Sequence, residues 1–287
     1  MQPGILVISH GSREAGWVER VETAVRDAAR MLETRTGGVP LEAAYLELVE
    51  GRLIQDGIDR LEASGVTDML AIPLFVSAGS KHVNEIGWAL GAVKELRCET
   101  ELTPFRRAAR LTYGRPIGDD PEIAQVLLDK VAPRSTHPAG ETLLLIGHGN
   151  EVPALEEAWR QGLRGLAEQM RTLGGYAGAD IALLRPNANE AAERVEALRR
   201  RWPSCRILAV PVLLSPGYFT AEAVPRRLCG LPCDYVETAL LPHPKMAEWI
   251  VRQAVEWLGN LAGRGGRSAP GSGRSGTAWA GPDTGGP

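Results

Sequence analysis

The chain has 287 residues, about twice the usual size of one domain, and its 44% hydrophobic and 23% charged content is that of a globular protein. A net charge of -3 argues against a general nucleic-acid binder, because phosphate neutralisation needs a basic surface, and 5% aromatics leave little for base stacking. No apolar run reaches the roughly 18 residues that span a bilayer, no signal-peptide pattern opens the chain, and Cys98, Cys205, Cys229 and Cys233 are too sparse for a disulfide scaffold. A cytoplasmic protein with free thiols, no membrane partner and no nucleic-acid partner is expected.

Ile5 to Ile8 is a short continuous apolar run, the pattern of a parallel strand buried on both faces. After His10-Gly11-Ser12, the stripe Val18, Val21, Val25, Ala28 and Leu32 predicts a helix. Leu41 to Leu48 reads as a second strand, Ile54, Ile58 and Leu61 as a helix ending near Gly65, and Met69 to Val76 as a third strand. A further helix is expected from about Val83 to Leu96. This alternation predicts an α/β fold with a parallel sheet flanked by helices.

Pro133 to Gly140 breaks the pattern and reads as a linker, after which the pattern restarts. Leu143 to Asn150 echoes Ile5 to Ser12, a shift of 138 positions that takes His10 to His148. The same shift takes Val21, Val25, Ala28 and Leu32 to Trp159, Leu163, Leu166 and Met170, and Ile72-Pro73 to Val210-Pro211. It also takes Ser77-x-Gly79 to Ser215-x-Gly217. The chain therefore reads as a tandem duplication: one repeat over 1–132, a linker over 133–140 and a second repeat over 141–262, with a cleft expected between the repeats. Asp120-Pro121 before a helix corresponds, in a shifted register, to His243-Pro244 before the last one. The Gly-, Ser-, Pro- and Arg-rich stretch 263–287 is expected to be a disordered tail.

Parallel α/β sheets gather functional residues at the carboxyl edge of their strands. His10 follows strand one, Glu47 ends strand two and His82 follows strand three, so two imidazoles and a carboxylate are expected at one edge. Neutral imidazole with carboxylate suits a divalent first-row metal and can also accept protons near neutral pH. Each residue alone has a plainer reading. A histidine after a strand often caps the next helix, Glu47 fits a solvent-facing edge position, and His82 fits a residue that only opens a helix.

His10-Gly11-Ser12-Arg13, Tyr45-Leu46-Glu47-Leu48 and Pro73 to Val83 (PLFVSAGSKHV) together resemble the CbiX-type sirohydrochlorin chelatases, of the class II tetrapyrrole chelatase family. The resemblance covers about residues 4–260. It implies ATP-independent insertion of Co²⁺ or Fe²⁺ into sirohydrochlorin, towards cobalamin or sirohaem. His10 and His82 would hold the metal as substrate, and Glu47 would assist. Long members resemble two fused copies of a short homodimeric form, which leaves a monomer or weak homo-oligomer as the expected state. The shift of 138 positions then asks what the second repeat keeps: His148 stands for His10, Arg185 for Glu47, Thr220 for His82 and Asn150 for Ser12. One competent metal site is expected, in the first repeat.

An anionic tetrapyrrole needs local cations. Arg13, Ser12 and Lys81 beside the motifs, and His148 and Arg185 in the second repeat, are the candidate contacts. Arg52 also flanks the motifs, and Arg106, Arg107 and Arg110 form a basic cluster that reads equally well as a solvated face. Cys229-x-x-x-Cys233 lacks a second ligand pair at zinc-site spacing, and neither an iron-sulfur cluster nor a nucleotide-binding loop is expected. The rivals are a hydrolase, for which Ser12 lacks the G-x-S-x-G elbow, and a non-catalytic carrier or sensor using the same His10, Glu47 and His82.

Overall fold

A computed structural model describes residues 1–265. Its first sheet is built from β1 (Pro3–Ser9), β2 (Leu41–Tyr45), β3 (Asp68–Pro73) and β4 (Arg110–Tyr113), all parallel, in the order β2-β1-β3-β4. The apolar run Ile5 to Ile8 has no exposed surface at all, as a central parallel strand covered on both faces requires. Helices α1 (Ala15–Thr36), α2 (Ile54–Ala63) and α3 (Lys81–Ala89) join the strands. The predicted stripe on α1 is the buried one, with Val21, Val25, Ala28 and Leu32 facing the core.

The second sheet repeats the plan with β5 (Glu141–Gly149), β6 (Gly178–Arg185), β7 (Arg206–Pro211) and β8 (Asp234–Tyr235) in the order β6-β5-β7-β8, again parallel. Its connecting helices are α5 (Pro153–Gly174), α6 (Glu190–Arg201) and α7 (Val224–Leu228), the last preceded by a π-turn over Phe219–Ala223. A shift of 138 positions carries α1 onto α5 and β3 onto β7 to the residue. The duplication read in the sequence is thus present in the fold.

Two helices remain, α4 (Pro121–Val131) and α8 (Pro244–Gly265), each opening on the anticipated proline. Contacts divide the chain into one unit of 1–74, 82–116 and 247 onwards, and another of 75–81 and 117–246. So α4, in the first linear repeat, belongs to the second unit with α5, and most of α8, in the second linear repeat, belongs to the first. In that first unit Gln253 on α8 acts as a surrogate strand for the sheet edge: its Oε1 accepts from Arg115 N (2.9 Å) and its Nε2 donates to Arg115 O (3.2 Å). Trp257 Nε1 donates to Thr112 Oγ1 on β4. Residues 133–140 form a short 3-10 turn, Pro138–Gly140, with Ser135, Thr136 and His137 bonded back to the Glu141 carboxylate. Helix α8 runs past Gly263 to Gly265, and the rest of the expected tail, 266–287, lies outside the described residues.

Several boundaries differ from the sequence pattern for local reasons. β2 stops at Tyr45 instead of Leu48, because the chain turns there with Leu48 in the left-handed region (φ 68°). Helix α3 stops at Ala89 instead of Leu96. Asn84 on α3 accepts from Arg97 N (2.7 Å) and donates to Glu95 O (3.0 Å), which folds the following segment back as a loop. β4 and β8, four and two residues long, are too short to show a periodicity. The four cysteines are free thiols. Among the described residues no helix is long and apolar enough to cross a membrane.

Candidate metal site

The strand order β2-β1-β3 makes β1 the place where the chain's connections diverge to opposite sides, the position at which open α/β sheets carry their sites. His10 follows directly on β1. Beyond the last paired residues, Leu46 N donates to Ser9 O (2.9 Å) and Glu47 N to His10 O (3.1 Å), so the backbone carries Glu47 alongside His10. This approach depends on Gly11. Its φ is +98°, and a Cβ there would lie 2.0 Å from the carbonyl oxygen of Glu47.

The tautomer of His10 follows from its partner. Nδ1 lies 3.1 Å from Gly11 O, which can only accept, so Nδ1 carries a proton and the neutral ring has its lone pair on Nε2. Nε2 in turn stands 3.5 Å from Glu47 Oε1. Two lone-pair atoms facing each other at that distance are stabilised by a proton or a cation between them. The ring of His82, in the first turn of α3, meets the His10 ring edge to face with centroids 4.8 Å apart. His82 Nδ1 contacts Glu85 Oε1 at 2.5 Å, and Glu85 Oε2 accepts from Thr100 Oγ1 at 2.7 Å. The groups therefore form a row: Glu47, His10, His82, Glu85, Thr100.

The structure brings together the three residues singled out by sequence, and adds Glu85, which was missed. A His and a Glu three positions apart on one helix face was the available signal. The row grades from solvent inward, with side-chain exposure of 54% for Glu47, 38% for His10, 22% for His82 and 8% for Glu85. Among the described residues, no three His, Cys, Asp or Glu side chains form a ready-made cage for a metal ion. Two imidazole nitrogens and an exposed carboxylate instead offer an open, partial set of donors.

The flanking residues differ in their partners and in their exposure. Ser12 Oγ accepts from Glu14 N (3.0 Å) at the start of α1. Arg52 is bonded to Glu22 and lies over the Tyr45 ring at 5.6 Å. In the basic cluster, Arg107 donates to Leu90 O and Ala109 O, and Arg110 pairs with the buried carboxylate of Asp68 at 2.7 Å. Those two arginines support the fold, whereas the Arg106 side chain is exposed, 3.7 Å from Asp59. Arg13 and Lys81 are exposed beside the row.

The second repeat keeps the turn and changes what surrounds it. His148 Nδ1 lies 3.1 Å from Gly149 O, and Gly149 (φ +78°) would place a Cβ 2.2 Å from Arg185 O. Asn150 Oδ1 accepts from Val152 N, the bond Ser12 makes in the first repeat. Where His82 would stand, Thr220 is turned into the local backbone through Gly217 O (2.9 Å). The ring near His148 is that of Phe219, edge to face at 4.9 Å, with Tyr218 beyond it at 5.5 Å. These two aromatics, exposed by 37% and 53%, were not anticipated. Arg185 stands 3.5 Å from Glu151 with 57% of its side chain exposed.

A family model described as CbiX matches residues 4–134 and again 142–256. The chain is similar to the sirohydrochlorin cobaltochelatase of Methanopyrus kandleri, with 25% identity over 138 residues, 44% of this chain and 93% of the relative. Similarity to the sirohydrochlorin cobaltochelatase of Methanosarcina barkeri is 29% over 128 residues, 45% of this chain and 93% of the relative. Among solved structures, SirB from Bacillus subtilis with Fe³⁺ shares the fold, with a TM-score of 0.69 at 20% identity over 92% of this chain and 98% of that one. Relatives matched almost end to end by less than half of this chain correspond to single repeats. Both halves of the duplication carry the same family pattern, and the chain belongs to the CbiX family as two copies of its fold in one polypeptide.

Proposed function

We propose that this protein inserts a divalent metal into sirohydrochlorin without a nucleotide, Co²⁺ being the first choice and Fe²⁺ the alternative, in the synthesis of cobalamin or sirohaem. The observation that carries the reading is His10, in ring contact with His82 and 3.5 Å from Glu47 at the carboxyl end of β1. Metal relatives named cobaltochelatases support the substrate class.

Insertion exchanges one M²⁺ for two pyrrole N–H protons, so the site must present a metal it can release and take up what the macrocycle loses. His10 and His82 are neutral donors through Nε2, and three or fewer protein ligands leave coordination positions for the incoming pyrrole nitrogens. Glu47, the most exposed member, is suited to receive the two protons one after the other and pass each to solvent. The remaining task is positioning. For a polycarboxylated macrocycle that role falls to Arg13, Ser12 and Lys81 beside the row, with His148 and Arg185 as further contacts from the second repeat. With both repeats in one chain, the expected state is a monomer or a weak homo-oligomer.

The test is to mix protein and sirohydrochlorin with Co²⁺, Fe²⁺ or Ni²⁺ separately and follow the absorbance change of metallation. The expected result is a rate above the uncatalysed background, highest with Co²⁺, and its loss in His10→Ala. Rates at background with every metal would instead favour a carrier that binds metal through the same residues.

A further inference from the structure

We infer that Glu85 is a positioning residue for His82, and that Thr100 holds Glu85 in place; the inference rests on the metal-insertion reading above. Glu85 is a carboxylate with 8% of its side chain exposed, and a charge so placed requires partners. It has one on each oxygen: His82 Nδ1 at 2.5 Å on Oε1 and Thr100 Oγ1 at 2.7 Å on Oε2. Thr100 is itself set by Leu102 N, which donates to its hydroxyl at 3.1 Å. The loop that supplies it is fixed to α3 independently, by Asn84 bonding Glu95 O and Arg97 N. Thr100 therefore meets the Glu85 oxygen that His82 leaves open.

The consequence falls on His82. A carboxylate on Nδ1 fixes the orientation of the ring and, in the neutral imidazole, keeps the proton on Nδ1 and turns the lone pair of Nε2 outward. His10 has only a peptide carbonyl on its Nδ1. The two imidazoles are thus held differently, His82 by a buried carboxylate and His10 by a peptide carbonyl. The second repeat agrees. On the shift of 138 positions that aligns α3 with the π-turn and α7, Thr220 replaces His82 and Ala223 replaces Glu85, so the imidazole and its carboxylate are lost together.

The experiment compares full-length wild type with Glu85→Gln and Thr100→Val, using two readings. One is the His82 Nδ1–H proton resonance of the metal-free protein, measured above the imidazole titration range. The other is Co²⁺ affinity of the protein alone. Glu85→Gln is expected to move the resonance upfield and to weaken Co²⁺ binding by about 10–100-fold, with Thr100→Val shifting both in the same direction by less. An unchanged resonance in Glu85→Gln overturns the inference, whether Co²⁺ affinity stays or falls. If Glu85→Gln does not fold, Thr100→Val decides by the same two readings. A wild type that takes no Co²⁺ overturns the metal-insertion reading instead, and the proton resonance still decides whether Glu85 holds His82.

Discussion

Replacing Gly11 by alanine puts a methyl group where the turn after β2 already stands. The added Cβ would lie 2.0 Å from Glu47 O, against an ordinary carbon–oxygen contact of more than 3 Å, so the carbonyl must retreat by about 1 Å or more. That carbonyl belongs to the peptide segment held by Glu47 N to His10 O and Leu46 N to Ser9 O, and the displacement strains both bonds, at about 1 kcal/mol each. A non-glycine residue at φ +98° adds about 1–2 kcal/mol. The expected loss is about 3–4 kcal/mol, read as a lower midpoint in urea with an unchanged slope. Gly149→Ala is the matched control. Its Cβ would lie 2.2 Å from Arg185 O at φ +78°, so its stability loss should be similar. The two variants should differ in Co²⁺ binding at a temperature where both remain folded: Gly11→Ala displaces Glu47 from His10 and weakens it, whereas Gly149→Ala disturbs a turn lacking the other two donors. Equal Co²⁺ affinity in the two variants would refute the assignment of the donor row to the first repeat. A Gly11→Ala protein as stable as wild type would refute the steric argument.

The duplication supplies a second comparison. His10→Ala and His82→Ala should each lower the metallation rate by about 100-fold or more, while His148→Ala keeps most of it; a His148→Ala defect as deep as that of His10→Ala would contradict the division between repeats. Arg185→Glu should weaken sirohydrochlorin binding by about ten-fold or more through lost charge pairing, measured by absorbance titration, and unchanged binding would remove Arg185 from the contacts. The Glu141 carboxyl bears on pH dependence. Burial by itself raises its pKa, but the Ser135 hydroxyl, the N–H groups of Thr136 and His137 and the Arg206 guanidinium together hold it below its ordinary 4.5. Its contribution to stability is therefore present above about pH 4.5 and is lost as the pH falls through the lowered folded value. Glu141→Gln should be less stable than wild type at pH 7 and converge with it in acid, as followed by thermal unfolding; a gap constant with pH would show that ionisation is not what Glu141 contributes.

Much of the fold is legible in the sequence because its signals are local. Ile5 to Ile8 and Leu143 to Ile146 are continuous apolar runs, and each demands cover on both faces whatever follows in the chain. The 138-position shift needs only a comparison of the chain with itself, and it finds α1 in α5 and β3 in β7. His10, Glu47 and His82 group together on the order of residues alone, since parallel strands place their carboxyl ends on one edge.

Partnerships between side chains far apart in the chain were decided only by the tertiary structure. Glu85 reads as an ordinary helix residue until Thr100 is seen on its other oxygen. Arg110 reads as part of a basic patch until Asp68, 42 positions away, is found to bind it. The membership of α4 and α8 also lies beyond periodicity, because an apolar helix face specifies that it must be covered and not by which sheet. What the sequence determined by itself was the repeat, the strands and the edge where the chemistry gathers. The tertiary structure decided which groups orient which, because a hydrogen bond depends on distance and direction in space, and neither is written in the order of residues.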